Sequence, residues 1–226
     1  MQDALETALA GIAGERVSTT AAGRTDRGVH ARVQVAHFDS AVARPATAWV
    51  RGVNALLPDS VAVLWSREVP GEFHARYSAL ARTYRYELLN RPVRPALCAP
   101  YCGWFHQPLD IEKMREAAAL LVGEHDFSAF RSSECQAKSP VRTIQKLEIS
   151  RESECIGFEV RANAFLHHMV RNLVGTLVYV GKGSLLPAQV KEILESRDRA
   201  KAPPTFGPEG LYLERIEYEG RWGLPL

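Results

Sequence analysis

The sequence predicts an α+β fold built in two halves. Helix-like and strand-like patterns occur in both halves without strict strand–helix alternation, which points to that class. The break Arg91-Pro92-Val93-Arg94-Pro95 interrupts the pattern and is the best candidate for a linker or domain crossing. The expected halves are residues 1–90 and 96–226. With 226 residues the chain can bury a sizeable core as one domain or two small ones, so no covalent or metal staple is required.

Taken in order, Asp3 to Ala13 places Leu5, Ala8, Leu9 and Ile12 at helical spacing, and Gly14 punctuates the helix. Val17 to Ala22 is an apolar, β-branched run and Val33 to Phe38 alternates, so two strands are expected to flank a polar loop. Pro45 to Leu57 reads as a helix ended by Pro58. Val61 to Trp65 is expected to be a strand too apolar on both sides to face open water. Thr83 to Tyr86 suits a strand with Tyr84 and Tyr86 on one face. At Tyr86 a core ring with a satisfied hydroxyl is expected.

In the second half Asp110 caps a helix that runs to Leu121 and is ended by Gly123. Lys146 to Ser150 and Gly157 to Ala162 alternate as strands joined by a polar turn around Glu152 to Glu154. Phe165 to Val180 is expected to be a helix with Leu166, Met169, Val170, Leu173, Val174 and Leu177 on its apolar side, and Arg171 sits among them. Pro187 to Ser196 makes a short helix and Leu211 to Glu219 a final strand.

Composition excludes several classes. With 46% hydrophobic and 24% charged residues this is an ordinary globular sequence. No apolar run approaches the roughly 20 residues of a membrane span. The first thirty residues lack the tripartite order of a secretory signal, so a cytoplasmic address is expected. Cys98, Cys102, Cys135 and Cys155 show no close metal spacing and are expected to be free thiols. A formal charge of +2 neither demands nor excludes nucleic acid, because a local patch, not the total, binds phosphate.

The densest chemistry lies in Ala22-Gly23-Arg24-Thr25-Asp26-Arg27-Gly28-Val29-His30-Ala31, where two guanidiniums and two glycines surround one carboxylate. Gly23 and Gly28 would let the backbone take a positive φ or approach a ligand closely. An Asp in a tight turn commonly bonds its own backbone, and on the residues alone that reading of Asp26 stays open. His30, His167 and His168 raise the question of a metal. No carboxylate or cysteine stands at ligand spacing beside them, so packing or contact with a bound partner is expected instead, and no metal. Arg171 lies on a largely apolar helical face, where an unpaired guanidinium would be costly and a partner carboxylate is the natural remedy.

Gly23-Arg24-Thr25-Asp26-Arg27-Gly28-Val29-His30 resembles the signature Gly-Arg-Thr-Asp-x-Gly-Val-His of the TruA family of tRNA pseudouridine synthases. Further segments match the same family in the same order. They are Phe73 to Ala79 with Arg82-Thr83-Tyr84-Arg85-Tyr86, then Gly123 to Arg131 with Cys135, Gln136, Pro140, Arg142 and Ile144, then Phe165 to Gly175, and finally Ala202-Pro203-Pro204 with Gly210 to Leu213. The likeness runs from about Gln2 to Tyr218. It departs at the start: family members usually open with a strand and a Gly-Trp-Gln loop before the first helix, so that first strand is expected to be missing here.

The resemblance implies two α/β, RRM-like halves whose antiparallel sheets join across a central cleft. It implies isomerisation of uridine to pseudouridine at positions 38, 39 and 40 of the tRNA anticodon arm, by a homodimer without cofactor. Asp26 would be the catalytic carboxylate, able to add to the substrate or to stabilise positive charge on the sugar. Arg171 would pair with it and fix its direction. Tyr84 would stack on the target uracil or help remove the C5 proton, and Arg24 would take the place of the flipped base, since a base inside a stem must be flipped out. Arg27, Arg32, Arg76, Arg82, Arg85, Arg131, Lys138 and Arg142 lie in or beside the matched motifs; some of them, with His30, would contact the RNA. Two rival classes are a pure RNA-binding module and a hydrolase using Asp26. A glycosidase normally pairs two carboxylates, and the motifs hold no second acid. An aspartic protease would place Thr or Ser and then Gly after the Asp, where Arg27 stands.

Overall fold

A computed structural model describes residues 1–226. The elements follow in the order α1 (Gln2–Ala13), β1 (Thr20–Ala21), β2 (His30–Ala31), β3 (Ala36–His37), α2 (Val53–Leu56), β4 (Ala79–Asn90), β5 (Gly103–Phe105), α3 (Ile111–Ala119), β6 (Gly123–Asp126), β7 (Val141–Glu152), β8 (Cys155–Ala162), α4 (Met169–Gly181), α5 (Pro187–Ser196) and β9 (Leu211–Tyr218). They gather into two compact units, one of residues 1–24, 34–80 and 217–226, the other of residues 25–33 and 81–216. The proline-rich segment Arg91 to Pro95 lies inside the second unit. The architecture is α+β, with a multi-stranded mixed sheet and few helices, the class the sequence predicts.

In the first unit α1 buries Ala8, Leu9 and Ala13 and stops at Gly14, whose φ of 71° lets its N–H turn back to the Ala10 carbonyl. The expected helix from Pro45 to Leu57 is present as a π-helical turn, Ala48–Gly52, that runs into α2. Trp49 and Val53 from this segment close over Ala8, Leu9, Ala13 and Val17, with Phe38 and Val63 packed against them. Two expectations need correction. The strand expected over Val17 to Ala22 is reduced to β1, paired antiparallel with β3, because Glu6 captures the Thr19 backbone N–H at 2.8 Å and its hydroxyl at 3.0 Å. Val61 to Trp65 is extended but joins no sheet. Asn54 takes both backbone groups of Val63 with its side-chain amide, at 2.7 and 2.8 Å, and so replaces a neighbouring strand. Leu64 is 73% exposed, so one face of that segment does meet water.

The second unit is organised by a seven-stranded sheet in the order β2-β9-β4-β8-β7-β6, with β5 also on β4. The pairs β4–β8, β8–β7 and β7–β6 are antiparallel as expected, whereas short β2 and β5 add in parallel to β9 and β4. Tyr86, Leu88, Ile156 and Phe158 are fully buried in this sheet. Tyr86 donates its hydroxyl to the Gly207 carbonyl at 2.9 Å, the satisfied core ring the sequence suggests. The α3 helix packs on β7, α4 and α5, and its Asp110 cap accepts the Lys113 N–H at 3.1 Å.

Helix α4 starts later than its apolar pattern suggests. The expected first turn, Phe165 to His168, is not helical, because His168 takes a left-handed conformation with φ 61° and Met169 is the first helical residue. Of the 13 residues of α4, 11 are buried; the two that are not are Arg171 and Tyr179.

Candidate active site

The Asp26 loop is built by a turn and a clamp. The Asp26 carbonyl accepts the Val29 N–H at 3.0 Å, and Gly28 between them has φ 85°, a value an L side chain adopts at a cost. A Cβ there would also meet Pro208 Cγ at 2.9 Å. Gly23 is not in the positive-φ region, and its N–H and carbonyl are both held by the Gln34 amide. Directly after the turn, β2 pairs with β9 in the register His30↔Tyr212 and Ala31↔Leu213. His30 is occupied within this clamp: its Nε2 lies 2.8 Å from the Pro100 carbonyl and its ring stacks on Tyr212 at 5.0 Å.

With its loop fixed, the Asp26 side chain does not bond its own backbone but reaches the start of α4. Oδ1 lies 3.1 Å from His167 Nε2, and Oδ2 lies 3.2 Å from both His168 Nε2 and Arg171 Nη1. The left-handed backbone at His168 turns two consecutive imidazoles to the same carboxylate, with ring centroids 4.0 Å apart. Arg171 is held from a second side by its Nε, which donates to the Phe206 carbonyl at 2.9 Å. At 14% exposure its side chain would be costly unpaired, and Asp26, at 24%, is the remedy the structure supplies.

The electrostatics of this cluster act most clearly on His168. Burial, the His167 ring and the Arg171 charge together push the His168 pKa down, against the upward pull of Asp26. A neutral His168 can donate from Nε2 to the carboxylate that Arg171 also holds. The carboxylate and the two Nε2 atoms lie within 4.8 Å of one another, a possible ligand set for a metal ion. The sequence spacing gave no hint of that carboxylate. The Arg171 guanidinium on the same carboxylate opposes a divalent cation there.

Tyr84 stands on β4, buried, with its ring edge-on to Phe165 at a centroid distance of 5.0 Å. Burial pushes its phenol up to about 12, with the Arg82 charge lowering it and the Asp26 charge adding to the rise. Tyr84 is therefore a neutral phenol at physiological pH. The remaining candidates are scattered. Arg27 is exposed beside Asp26, while Arg24 and Arg76 are exposed residues of the first unit. Arg82 is 7% exposed and donates to the Asn163 carbonyl at 3.1 Å, which makes it a strut inside the sheet. Arg142 lies at the start of β7 with its guanidinium on the Ser139 and Val141 carbonyls.

Arg131 lines a groove of about 640 Å³ together with Arg197, Arg199, Ser132, Thr205 and His168. Arg199 is fixed to α4 through Asn172 Oδ1 at 3.1 Å, and Arg197 lies 3.3 Å from Asp126. This basic groove therefore opens onto the same His168 that touches Asp26. Sequence reading missed the convergence of His167 and His168 on Asp26, and it missed Arg197 and Arg199 altogether. A His-His pair immediately before a helix carrying one arginine among apolar residues was the available signal.

The chain is 57% identical over its full length to a tRNA pseudouridine synthase A of Methylobacillus flagellatus, covering 86% of that protein. It is 59% identical over its full length to a protein of the same name from Chromobacterium violaceum, again covering 86%.

The chain belongs to the tRNA pseudouridine synthase A (TruA) family.

A profile described as tRNA pseudouridine synthase independently matches residues 117–219. That segment of the synthase holds His167, His168, Arg171 and the basic groove, whereas Asp26 and Tyr84 precede it. The alignments to the two synthases span the whole chain, Asp26 included.

Proposed function

We propose that Asp26 is the carboxylate with which this chain isomerises uridine to pseudouridine in tRNA, at positions 38, 39 and 40 of the anticodon arm. The reaction breaks the bond from uracil N1 to the ribose, turns the base and joins C5 to the same sugar carbon. C5 loses a proton and N1 gains one, so atoms and electrons balance without an external reagent. An ionised carboxylate serves this reaction by adding to the substrate or by stabilising positive charge on the sugar, and it is regenerated in either case.

The observation that supports this role is the double hold on Asp26: Arg171 Nη1 on Oδ2 and His167 Nε2 on Oδ1. These contacts aim the carboxylate, the preorganisation that a reacting carboxylate needs. His167 and His168 act as positioning residues. Tyr84, neutral and packed on Phe165, offers the uracil a ring face and a hydroxyl and not a phenolate base. Arg24 fills the gap left by the flipped base. Exposed Arg27 and Arg76, with the groove of Arg131, Arg197 and Arg199, follow the RNA backbone. The active species is a homodimer, each tRNA touching both subunits.

The test is incubation of purified protein with unmodified tRNA transcript, with pseudouridine mapped by position beside an Asp26→Ala control. Product at positions 38 to 40 that vanishes in the control, while tRNA binding persists, is the expected result. Undiminished product in the control would remove Asp26 from the reaction, and binding without product in the unaltered chain would leave an RNA-binding protein.

A further inference from the structure

Cys98 and Cys102 flank a single turn that leads into β5. The Tyr101 N–H donates to the Cys98 carbonyl at 2.9 Å, and the turn brings the two sulfurs to 3.2 Å. Neither is in a disulfide; Cys98 is exposed and Cys102 half-buried. The two residues between them that carry function are Pro100 and Tyr101. The Pro100 carbonyl lies 2.8 Å from His30 Nε2, and the Tyr101 carbonyl accepts the Tyr212 hydroxyl at 2.6 Å. His30 and Tyr212 are register partners in the β2–β9 clamp that follows Asp26. The dithiol and the Asp26 loop therefore share one short chain of contacts.

We propose that Cys98 and Cys102 are a reversible modification site, closed to an intramolecular disulfide by a low-molecular-weight disulfide such as oxidised glutathione, and that closure shifts the turn holding His30 and slows the enzyme.

The chemistry balances in two exchanges. The Cys98 thiolate attacks one sulfur of the oxidised glutathione, forming a mixed disulfide and releasing one glutathione thiolate. Cys102 then attacks the Cys98 sulfur, closing the ring and releasing the second. Two protons leave the protein thiols, the cysteine pair is oxidised and glutathione is reduced. Exposure makes Cys98 the attacking group. Burial, followed by the neighbouring Cys98, pushes Cys102 up to about 12, so it stays a thiol until the mixed disulfide is beside it. A disulfide has an S–S bond of about 2.05 Å, so closure draws the sulfurs together by roughly 1 Å. The Pro100 and Tyr101 carbonyls lie inside the loop that closure constrains, which is how closure would reach His30.

This site goes beyond the pseudouridine synthase reading, and mass mapping tests it separately from activity. The full chain is titrated with oxidised and reduced glutathione mixtures, alkylated, digested with trypsin and mapped, with pseudouridine formation followed in parallel. The expected product is the tryptic peptide Tyr86 to Lys113 with Cys98 and Cys102 joined, and with Cys135 and Cys155 still alkylated. The rate is expected to fall about fivefold or more and to return with dithiothreitol. Cys98→Ser is expected to match the reduced protein in rate and to ignore the oxidant. Persistent glutathione on Cys98, a bond to Cys155 instead, or a closed Cys98–Cys102 bond with an unchanged rate would each overturn the proposal.

Discussion

The Arg171 guanidinium meets the Asp26 carboxylate at 3.2 Å across 145 residues of chain, while its Nε is held 2.9 Å from the Phe206 carbonyl. Two donors of one planar group thus point at two fixed acceptors, a geometry that a lysine ammonium cannot reproduce.

Arg171→Lys is accordingly expected to fold and bind tRNA but to lose about 10- to 100-fold in kcat, the scale of a misaligned reacting group. Arg171→Ala should also lower the melting temperature by about 4–8 °C, from roughly 2 kcal/mol of lost charged hydrogen bonds at a partly screened site. Single-turnover kinetics and thermal melts check both. An unchanged kcat in Arg171→Ala would remove the orienting role.

His168 carries the second prediction. Its ring proton resonances should titrate below the ordinary value of 6.5, because burial, His167 and Arg171 all disfavour the imidazolium. Asp26 pulls the other way, so Asp26→Asn should move the midpoint further down and Arg171→Ala should move it up. An upward movement in Asp26→Asn would contradict the assigned electrostatics.

Stability should fall on acidification in two stages. Burial and then His74 depress the pKa of His37, against Asp39, and His168 is depressed as described. Between the folded pKa values and 6.5 the unfolded chain binds more protons than the folded one, so stability rises with pH across that window and is lost below it. Asp126 adds a lower stage. Burial alone would raise its pKa, but Ser128 hydrogen bonds and the Arg197 and Arg131 charges outweigh it, so its contribution is complete above 3.8 and lost as pH falls. Urea midpoints measured from pH 7.5 to 3 should show both stages, and His37→Gln should shrink only the upper one.

Gly28→Ala should destabilise the chain by at least about 1–2 kcal/mol, the cost of a left-handed conformation for an L residue. Contact with Pro208 adds to that. Because Asp26 stands two residues earlier, kcat should fall about tenfold or more even where the protein remains folded. Gly71→Ala, where an added Cβ meets nothing within 4 Å, is the control and should melt like the unaltered chain.

Much of the frame was legible because it rests on local signals. The Asp110 cap, Gly14 after α1, and the alternation in β7 and β8 each declare an element within a few residues. What was hidden depended on distant partners. Nothing near Val63 says that Asn54 will satisfy its backbone, so an unpaired extended segment read as a strand. The apolar spacing from Phe165 onward continues through His168, whereas the folded chain turns left-handed at His168 with both imidazoles facing Asp26 and starts the helix at Met169. Asp26 and Arg171 stood out individually, one as a carboxylate among arginines and one as a charge on an apolar face. That His167 and His168 join them is a property of the tertiary fold.

The pairing of β2 with β9 has a consequence for synthesis. His30 and Ala31 find their strand partners only in Tyr212 and Leu213, near the end of the chain. At about 5–20 residues per second, a ribosome takes roughly 10–40 s to travel from one to the other. Until then the turn that carries Asp26 lacks the β9 residues that pair with the strand after it. The β2–β9 pair therefore forms only once nearly the whole chain has been made.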